Sequence, residues 1–408
     1  MTRLDRLIGR LELKEFQLKA LLDVTKAINT NVGRASLLAL YRDIVRDELG
    51  ITRLMLFEKT ARWECILAYG TSGRDTDVDV EHAFGTFKEI QGIPGGAAGD
   101  LGAFDVAVPV YHEERPLAFL LIGDIDEDEQ RMSPTVKHLN FIQTLTNLIV
   151  VAMENERLAL EALQRERLAR ELELAAEVQG MLIPTKLPSD ERFEAAAWYL
   201  PHRLVGGDYY DVIRRGPDEV VIVMGDVSGK GMAAALLMSN FQATLHTLLD
   251  GDELPLDRLV HLLNRKVFQR AQGDRFITFF IARCDLSTGV VRYVNAGHNP
   301  VLHWNGREIV DLHTGSIALG MMPELPFLQV GEAQVRSGDT LLCYTDGLVE
   351  QEDAYENDLG TTPLMKAVED FSASGPQAVN TAVVGAFEAH RDGEPYLDDI
   401  ALLTCRFR

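Results

Sequence analysis

Apolar residues recur at helical spacing near the start of the chain: Leu18, Leu21, Leu22, Val24 and Ile28, then Leu37, Leu38, Tyr41, Ile44 and Val45. That period predicts two amphipathic helices. Short apolar runs follow at residues 53–58, 63–68, 104–110 and 117–122 and read as strands, the last two joined by a polar hairpin connection at residues 112–115. Between them, GIPGGAAGDLG (residues 92–102) has too little apolar content for an element and reads as a glycine-rich loop. The pattern predicts a small α+β domain over residues 1–150.

Ser133-Pro134 has the chemistry of a helix start. An apolar stripe follows at Leu145, Leu148, Ala152, Ala159 and Leu163, and resumes after a five-residue step at Leu168, Leu172, Ala175 and Leu182. With charges of both signs and no Gly or Pro over residues 154–173, this predicts one long helix, with a coiled-coil-like linker over residues 151–187. Pro184 is expected to stop it at Ile183. Val178, Met181 and Leu182, at its end, are the candidate regulatory linker residues. They are expected to pack on the helices that follow Lys230, next to Asp226.

Residues 188–408 are strand-rich. Runs at 220–225, 277–284, 290–295, 301–304, 328–335, 340–345 and 400–404 read as strands, and 233–249, 256–271 and 377–390 as helices. No internal repeat or low-complexity tract interrupts them.

Composition narrows the function. With 408 residues, 46% apolar and 25% charged, the chain is long enough for two to four globular domains. Its 62 acidic against 40 basic residues give a net charge of -22, which disfavours nucleic acid or an anionic membrane as a partner. The four cysteines, Cys65, Cys284, Cys343 and Cys405, form no CxxC pair, and a reducing cytoplasm is the expected location. No apolar run approaches the ~20 residues of a membrane span, and the N-terminus has no signal-peptide pattern.

The chemistry concentrates in aspartates at predicted strand ends. Asp208 lies in GGDYYD, Asp226 ends VVIVMGD, Asp346 ends TLLCYTD, and Asp398 and Asp399 open DDIALLTC. Such an Asp is costly to bury unless paired or bound to a cation. Glycines at 206, 207, 225 and 347 allow close backbone approach. Converging carboxylates without His or Cys suit Mg²⁺ or Mn²⁺ rather than zinc. For a single Asp, capping a turn is the simpler reading; four at strand tips shift the balance. GDVSGKGM fails the phosphate-loop spacing, Lys230 reads as a solvated lysine, and Ser228 lacks the nucleophile-elbow pattern. His298, in NAGHNP, reads as a structural turn residue.

Together GGDYYD, GDVSGKG, NAGHNP, YTDG and DDIALL resemble, in order, the bacterial metal-dependent phosphoprotein phosphatases of the SpoIIE/RsbU type, relatives of protein phosphatase 2C. The resemblance covers about residues 175–408 and includes AAEVQGMLIPTKLP upstream. It implies an α/β/β/α sandwich (the PPM phosphatase type) over 188–408. It also implies two Mn²⁺ or Mg²⁺ ions held by Asp208, Asp226, Asp346 and Asp398, with the Val227 carbonyl and Asp399 as further candidates. Asp208, Asp226 and Asp346 are then the catalytic carboxylates, and the ions activate a water that attacks phosphorus directly. For the phosphate-binding arginine of eukaryotic relatives, Arg203 is a candidate.

The N-terminal part resembles a GAF sensor domain in LKALLDVTKAINT and VAVPVYHEERPLAFLLIG. The expectation is a cytoplasmic, homodimeric signalling phosphatase acting on a phosphoserine or phosphothreonine protein. A STAS-type anti-sigma factor antagonist is the expected substrate, with control by a small-molecule or protein ligand of the N-terminal domain. The alternative is a regulatory binding protein with an inactive phosphatase fold.

Overall fold

A computed structural model describes residues 3–71, 78–93, 104–123, 134–251 and 254–408. The chain divides into two compact units, Met1–Glu166 and Arg167–Arg408.

In the first unit, α1 (Arg3–Asn29) and α2 (Arg34–Asp43), which continues into a π-helical turn at Ile44–Glu48, precede β1 (Arg53–Lys59), β2 (Trp63–Tyr69), α3 (Val80–Phe84), β3 (Gln91–Gly92), β4 (Val106–His112) and β5 (Arg115–Gly123). The strands form one antiparallel sheet in the order β2-β1-β5-β4-β3. Side chains alternate across it: Leu54 and Leu56 of β1 join Val24, Tyr41, Ile142 and Leu145 on one face, while Met55 and Phe57 join Val80, Phe84 and Phe119 on the other. Burial on both faces explains why β1 reads as an unbroken apolar run. The hairpin forms where expected, with His112 opposite Arg115 and Glu113 at φ 54°. On α1, however, Ala20 and Val24 are buried, whereas Leu18 and Leu22 face solvent. Residues 94–102 of the glycine-rich segment and Ser133 lie outside the described residues.

The long helix α4 (Pro134–Gly180) runs unbroken through the phase change after Leu163. It stops at Gly180, three residues before the expected end, and Met181 and Leu182 turn back onto the carbonyls of Val178 and Gln179. No described helix is long and apolar enough to cross a membrane.

The second unit is built on β6 (Phe193–Leu200), β7 (Tyr209–Arg215), β8 (Glu219–Val227), α5 (Met232–Asp250), α6 (Leu256–Ala271), β9 (Ile277–Asp285), β10 (Val290–Ala296), β11 (Val301–Trp304), β12 (Ile309–Leu312), β13 (Gly315–Ser316), β14 (Gly331–Gln334), β15 (Thr340–Tyr344), α7 (Asp346–Val349), α8 (Thr362–Phe371), α9 (Pro376–Arg391) and β16 (Ile400–Phe407). One sheet runs β13-β10-β9-β8-β7, with β14 also on β10; the other runs β12-β11-β15-β16-β6. Their inner faces share a core that includes Val220, Ile222, Met224, Phe280, Leu341, Cys343, Leu403 and Cys405. The alternate residues Val221, Val223, Phe279 and Ile281 pack outward with Met238 and Leu263 of α5 and α6. Likewise Leu342, Tyr344, Ile400 and Leu402 pack outward with Leu364 of α8 and Val383 of α9. The result is the α/β/β/α order of layers. The sequence reading has no counterpart for β6, whose centre is the alanine run 195–197, for the half-polar β7, for the short β12, β13 and α7, or for α8.

Candidate metal centre

The sheet registers bring the aspartates together. Asp208 immediately precedes β7 and Asp226 lies near the end of β8; the antiparallel pairing of Tyr209 with Gly225 puts both at one end of their sheet. Asp346 opens α7 just after β15, and Asp398 and Asp399 immediately precede β16; pairing of Tyr344 with Leu402 puts these at one end of the other sheet. Thr345 joins the two ends. Its buried hydroxyl donates to Asp208 Oδ2 at 2.8 Å and accepts the Ala401 N–H at 2.8 Å.

Electrostatics follow from this crowding. Burial, and then the charge of Asp226, raise Asp208 well above the usual carboxylate range, against the hydrogen bond from Thr345. Burial, then Asp346, push Asp226 up to about 7. Asp346 is raised by burial and by Asp398, with Lys230 opposing. Like charges in a partly dry site disfavour ionisation unless cations neutralise them.

The two members of the DD pair differ. Both Asp399 oxygens are engaged by backbone, Oδ1 by His202 N–H at 2.8 Å and Oδ2 by Gly207 N–H at 2.7 Å. Asp398 is more open: Oδ1 accepts the Asp399 N–H, and Oδ2 pairs with Lys230 Nζ at 2.9 Å. Lys230 also donates to the Leu397 carbonyl, so it is tied to this edge and not merely solvated. Gly347 admits no side chain, because a Cβ there would lie 2.2 Å from the Asp399 carbonyl oxygen.

The loop after Asp226 is held from behind. Arg275 Nη1 donates to the Ser228 carbonyl at 2.7 Å, and the Ser228 hydroxyl accepts Phe276 N–H at 2.9 Å, so Ser228 has a structural partner. Val227 is buried and its carbonyl faces Gly207. His298 is buried on Thr278, the cross-strand partner of Asp226, with Nδ1 and Oγ1 2.9 Å apart. Burial pushes its pKa down to about 4, leaving a neutral imidazole at pH 7. Arg203 is exposed.

The linker residues require a correction. Val178 is 62% and Met181 80% exposed, and Leu182 is half-buried, so the first two do not pack on the helices after Lys230. The side chain that turns inward is Gln179. Its Nε2 donates to the Gly206 carbonyl at 2.6 Å, and Gly206 N–H donates to its Oε1 at 3.1 Å. Sequence reasoning missed Gln179, Thr345 and Arg275. Gln179 did leave a signal: it occupies the next position of the stripe Leu168, Leu172, Ala175, Leu182.

The donor set is all oxygen, which fits Mg²⁺ or Mn²⁺. Among the described residues no three acidic, His or Cys side chains are arranged to cage one ion.

Residues 216–408 match the family model described as Stage II sporulation protein E (SpoIIE). Protein IcfG of Synechocystis is 30% identical over 265 residues, covering 57% of this chain and 41% of IcfG. Phosphoserine phosphatase RsbU of Bacillus subtilis is 28% identical over 254 residues, covering 62% of this chain and 74% of RsbU. The chain thus spans about two-fifths of the length of one of these relatives and three-quarters of the other. The PP2C domain of SiaA from Pseudomonas aeruginosa superposes with a TM-score of 0.53 at 18% identity, over 60% of this chain and 99% of that domain, and shares its fold. Residues 216–408 are therefore similar to the SpoIIE family, and the C-terminal part of this chain shares the fold of a PP2C domain.

Proposed function

We propose that this chain is a metal-dependent phosphoprotein phosphatase acting on phosphoserine or phosphothreonine in a signalling protein. The observation that carries the reading is the convergence of Asp208, Asp226, Asp346 and Asp398 at one end of the sandwich, with Asp226 driven to about 7 by burial and by its acidic neighbours. In this reading these four carboxylates, with the Val227 carbonyl, hold two Mn²⁺ or Mg²⁺ ions. Bound cations supply a water of lowered pKa and neutralise phosphate oxygens. Asp399 then acts through the backbone it fixes. The engagement of Ser228 with Phe276 N–H supports a reaction without a serine nucleophile.

The similarity to RsbU, named a phosphoserine phosphatase, supports the substrate class. We extend it to a STAS-type anti-sigma factor antagonist in a partner-switching pathway, in the cytoplasm. The N-terminal unit is read as a GAF-like sensor, over about residues 1–150, that regulates residues 188–408 through the helical segment 151–187. Exposed Leu160, Leu163, Leu168 and Leu174 on α4 support self-association through that helix as a homodimer. The alternative of an inactive binding protein is disfavoured by the complete aspartate set.

The test is phosphate release from a phosphoserine-bearing STAS-domain protein. Release should require Mn²⁺ or Mg²⁺ and stop with EDTA, and Asp226→Asn and Asp346→Asn should each abolish it without unfolding the chain. Full turnover by both variants would refute the proposal.

A further inference from the structure

Lys230 stands between two glycines in the left-handed backbone region, Gly229 at φ 86° and Gly231 at φ 74°. A Cβ on Gly229 would lie 2.3 Å from Arg275 Nη1, so the braced loop after Asp226 has no room for a side chain there. This double turn carries Lys230 off the end of β8 and across to the other sheet. There its Nζ meets Asp398 Oδ2 at 2.9 Å and donates to the Leu397 carbonyl, 167 residues along the chain.

An ammonium has three N–H donors and no acceptor. Two are used on Asp398 and Leu397; among the described residues the third has no protein partner. The side chain is 43% exposed, which leaves that donor within reach of a ligand at the rim of the centre. Its charge is close enough to Asp346 to oppose the rise of that carboxyl's pKa. The rest of the rim is acidic: Glu350 is raised by burial first, and then by Asp346, Asp358 and Asp398. Such a rim repels a phosphate dianion unless a cation stands in it. Among the described residues Lys230 is the lysine or arginine that pairs with an aspartate of the centre. Arg275 is turned to the Ser228 carbonyl, and Arg203 is exposed and makes no such pair.

We infer that Lys230 is the phosphate-binding cation of the site, holding one oxygen of the substrate phosphate through the N–H that Asp398 and Leu397 leave over. The inference rests on the metal-dependent phosphatase reading above and names the residue that takes the substrate's charge. A lysine binds phosphate as a point charge on a flexible stem, and anchoring that charge on two acceptors reduces the freedom lost when a phosphate arrives. The alternative is that Lys230 only positions Asp398. The two roles differ in sign toward the metal. An ammonium on Asp398 repels a cation on the same carboxylate, so removing it leaves Mn²⁺ binding as tight or tighter if the lysine serves phosphate. Removing it weakens Mn²⁺ binding if the lysine serves to place Asp398.

The experiment measures hydrolysis of p-nitrophenyl phosphate by the full chain at saturating MnCl₂ and its inhibition by inorganic phosphate, with calorimetric titration of MnCl₂ into the same samples. Lys230→Met should raise both KM and the inhibition constant of phosphate about tenfold or more, the scale of one hydrogen bond to a charged group, while binding Mn²⁺ at least as tightly as wild type. Lys230→Arg, which keeps the charge, should restore most of the loss. Lys230→Gln serves if the methionine variant does not fold. The inference fails alone if wild type hydrolyses the ester and a folded Met or Gln variant keeps both constants within about twofold, if Mn²⁺ binding weakens in step with them, or if Lys230→Arg is as impaired as Lys230→Met. If wild type binds no Mn²⁺ or leaves the ester intact, the phosphatase reading fails and the inference with it.

Discussion

Asp398 and Asp399 are adjacent in sequence, yet the structure gives them different surroundings. Asp399 is buried and accepts two backbone N–H groups, from His202 and Gly207. Asp399→Asn keeps one acceptor and turns an NH₂ toward the other N–H. A hydrogen bond to a charged group contributes about 1.5–3 kcal/mol, and a buried donor left without its acceptor costs about 1–3 kcal/mol. Removing a negative charge near Asp398 and Asp208 returns part of this, leaving a net loss of about 2 kcal/mol. For a unit of this size that lowers the melting temperature by about 4–8 °C. The Asp398 side chain is 37% exposed and pairs with Lys230, itself 43% exposed. Such a surface pair contributes only about 0–1 kcal/mol. Asp398→Asn should therefore melt within about 3 °C of wild type while losing Mn²⁺-dependent turnover. Calorimetric melting of the full chain, following the transition of the C-terminal unit, and a phosphate-release assay on the same samples measure both effects. The reasoning fails if Asp399→Asn melts with wild type, or if Asp398→Asn keeps full turnover.

Thr345→Val removes the hydroxyl between Asp208 and Ala401 and should raise the Mn²⁺ needed for half-maximal turnover about tenfold, whereas Thr345→Ser should stay near wild type; equal Mn²⁺ dependence of both variants would count against the bridge. His298→Ala should lower the melting temperature more than it lowers turnover, and a loss beyond the hundredfold scale of acid–base catalysis at unchanged stability would contradict a structural role. Because the folded value of His298, about 4, lies below the ordinary 6.5, the unfolded chain takes up its proton first as pH falls. This contribution is intact above pH 6.5 and lost between 6.5 and about 4, up to roughly 3 kcal/mol. Denaturant midpoints across that range, which His298→Gln should flatten, check the sign.

Periodicity alone located the strands buried on both faces, β8, β9 and β15, and the amphipathic helix α6, because burial in a layered fold leaves a regular apolar trace. It also located the strand-end aspartates, since a carboxylate closing an apolar run is chemically conspicuous. The strand β6 was not legible: three central alanines carry little strand preference, and pairing with β16 decides their state. The resemblance set Asp398 apart from Asp399, but what holds Asp399 was not legible, because it depends on the distant backbone N–H groups of His202 and Gly207. The same holds for the inward side of the α4 terminus. A helical stripe states which positions share a face, and Gln179 does share one with Leu172 and Ala175. Only the approach of the Gly206 turn, 27 residues along the chain, makes a polar side chain the one that belongs there.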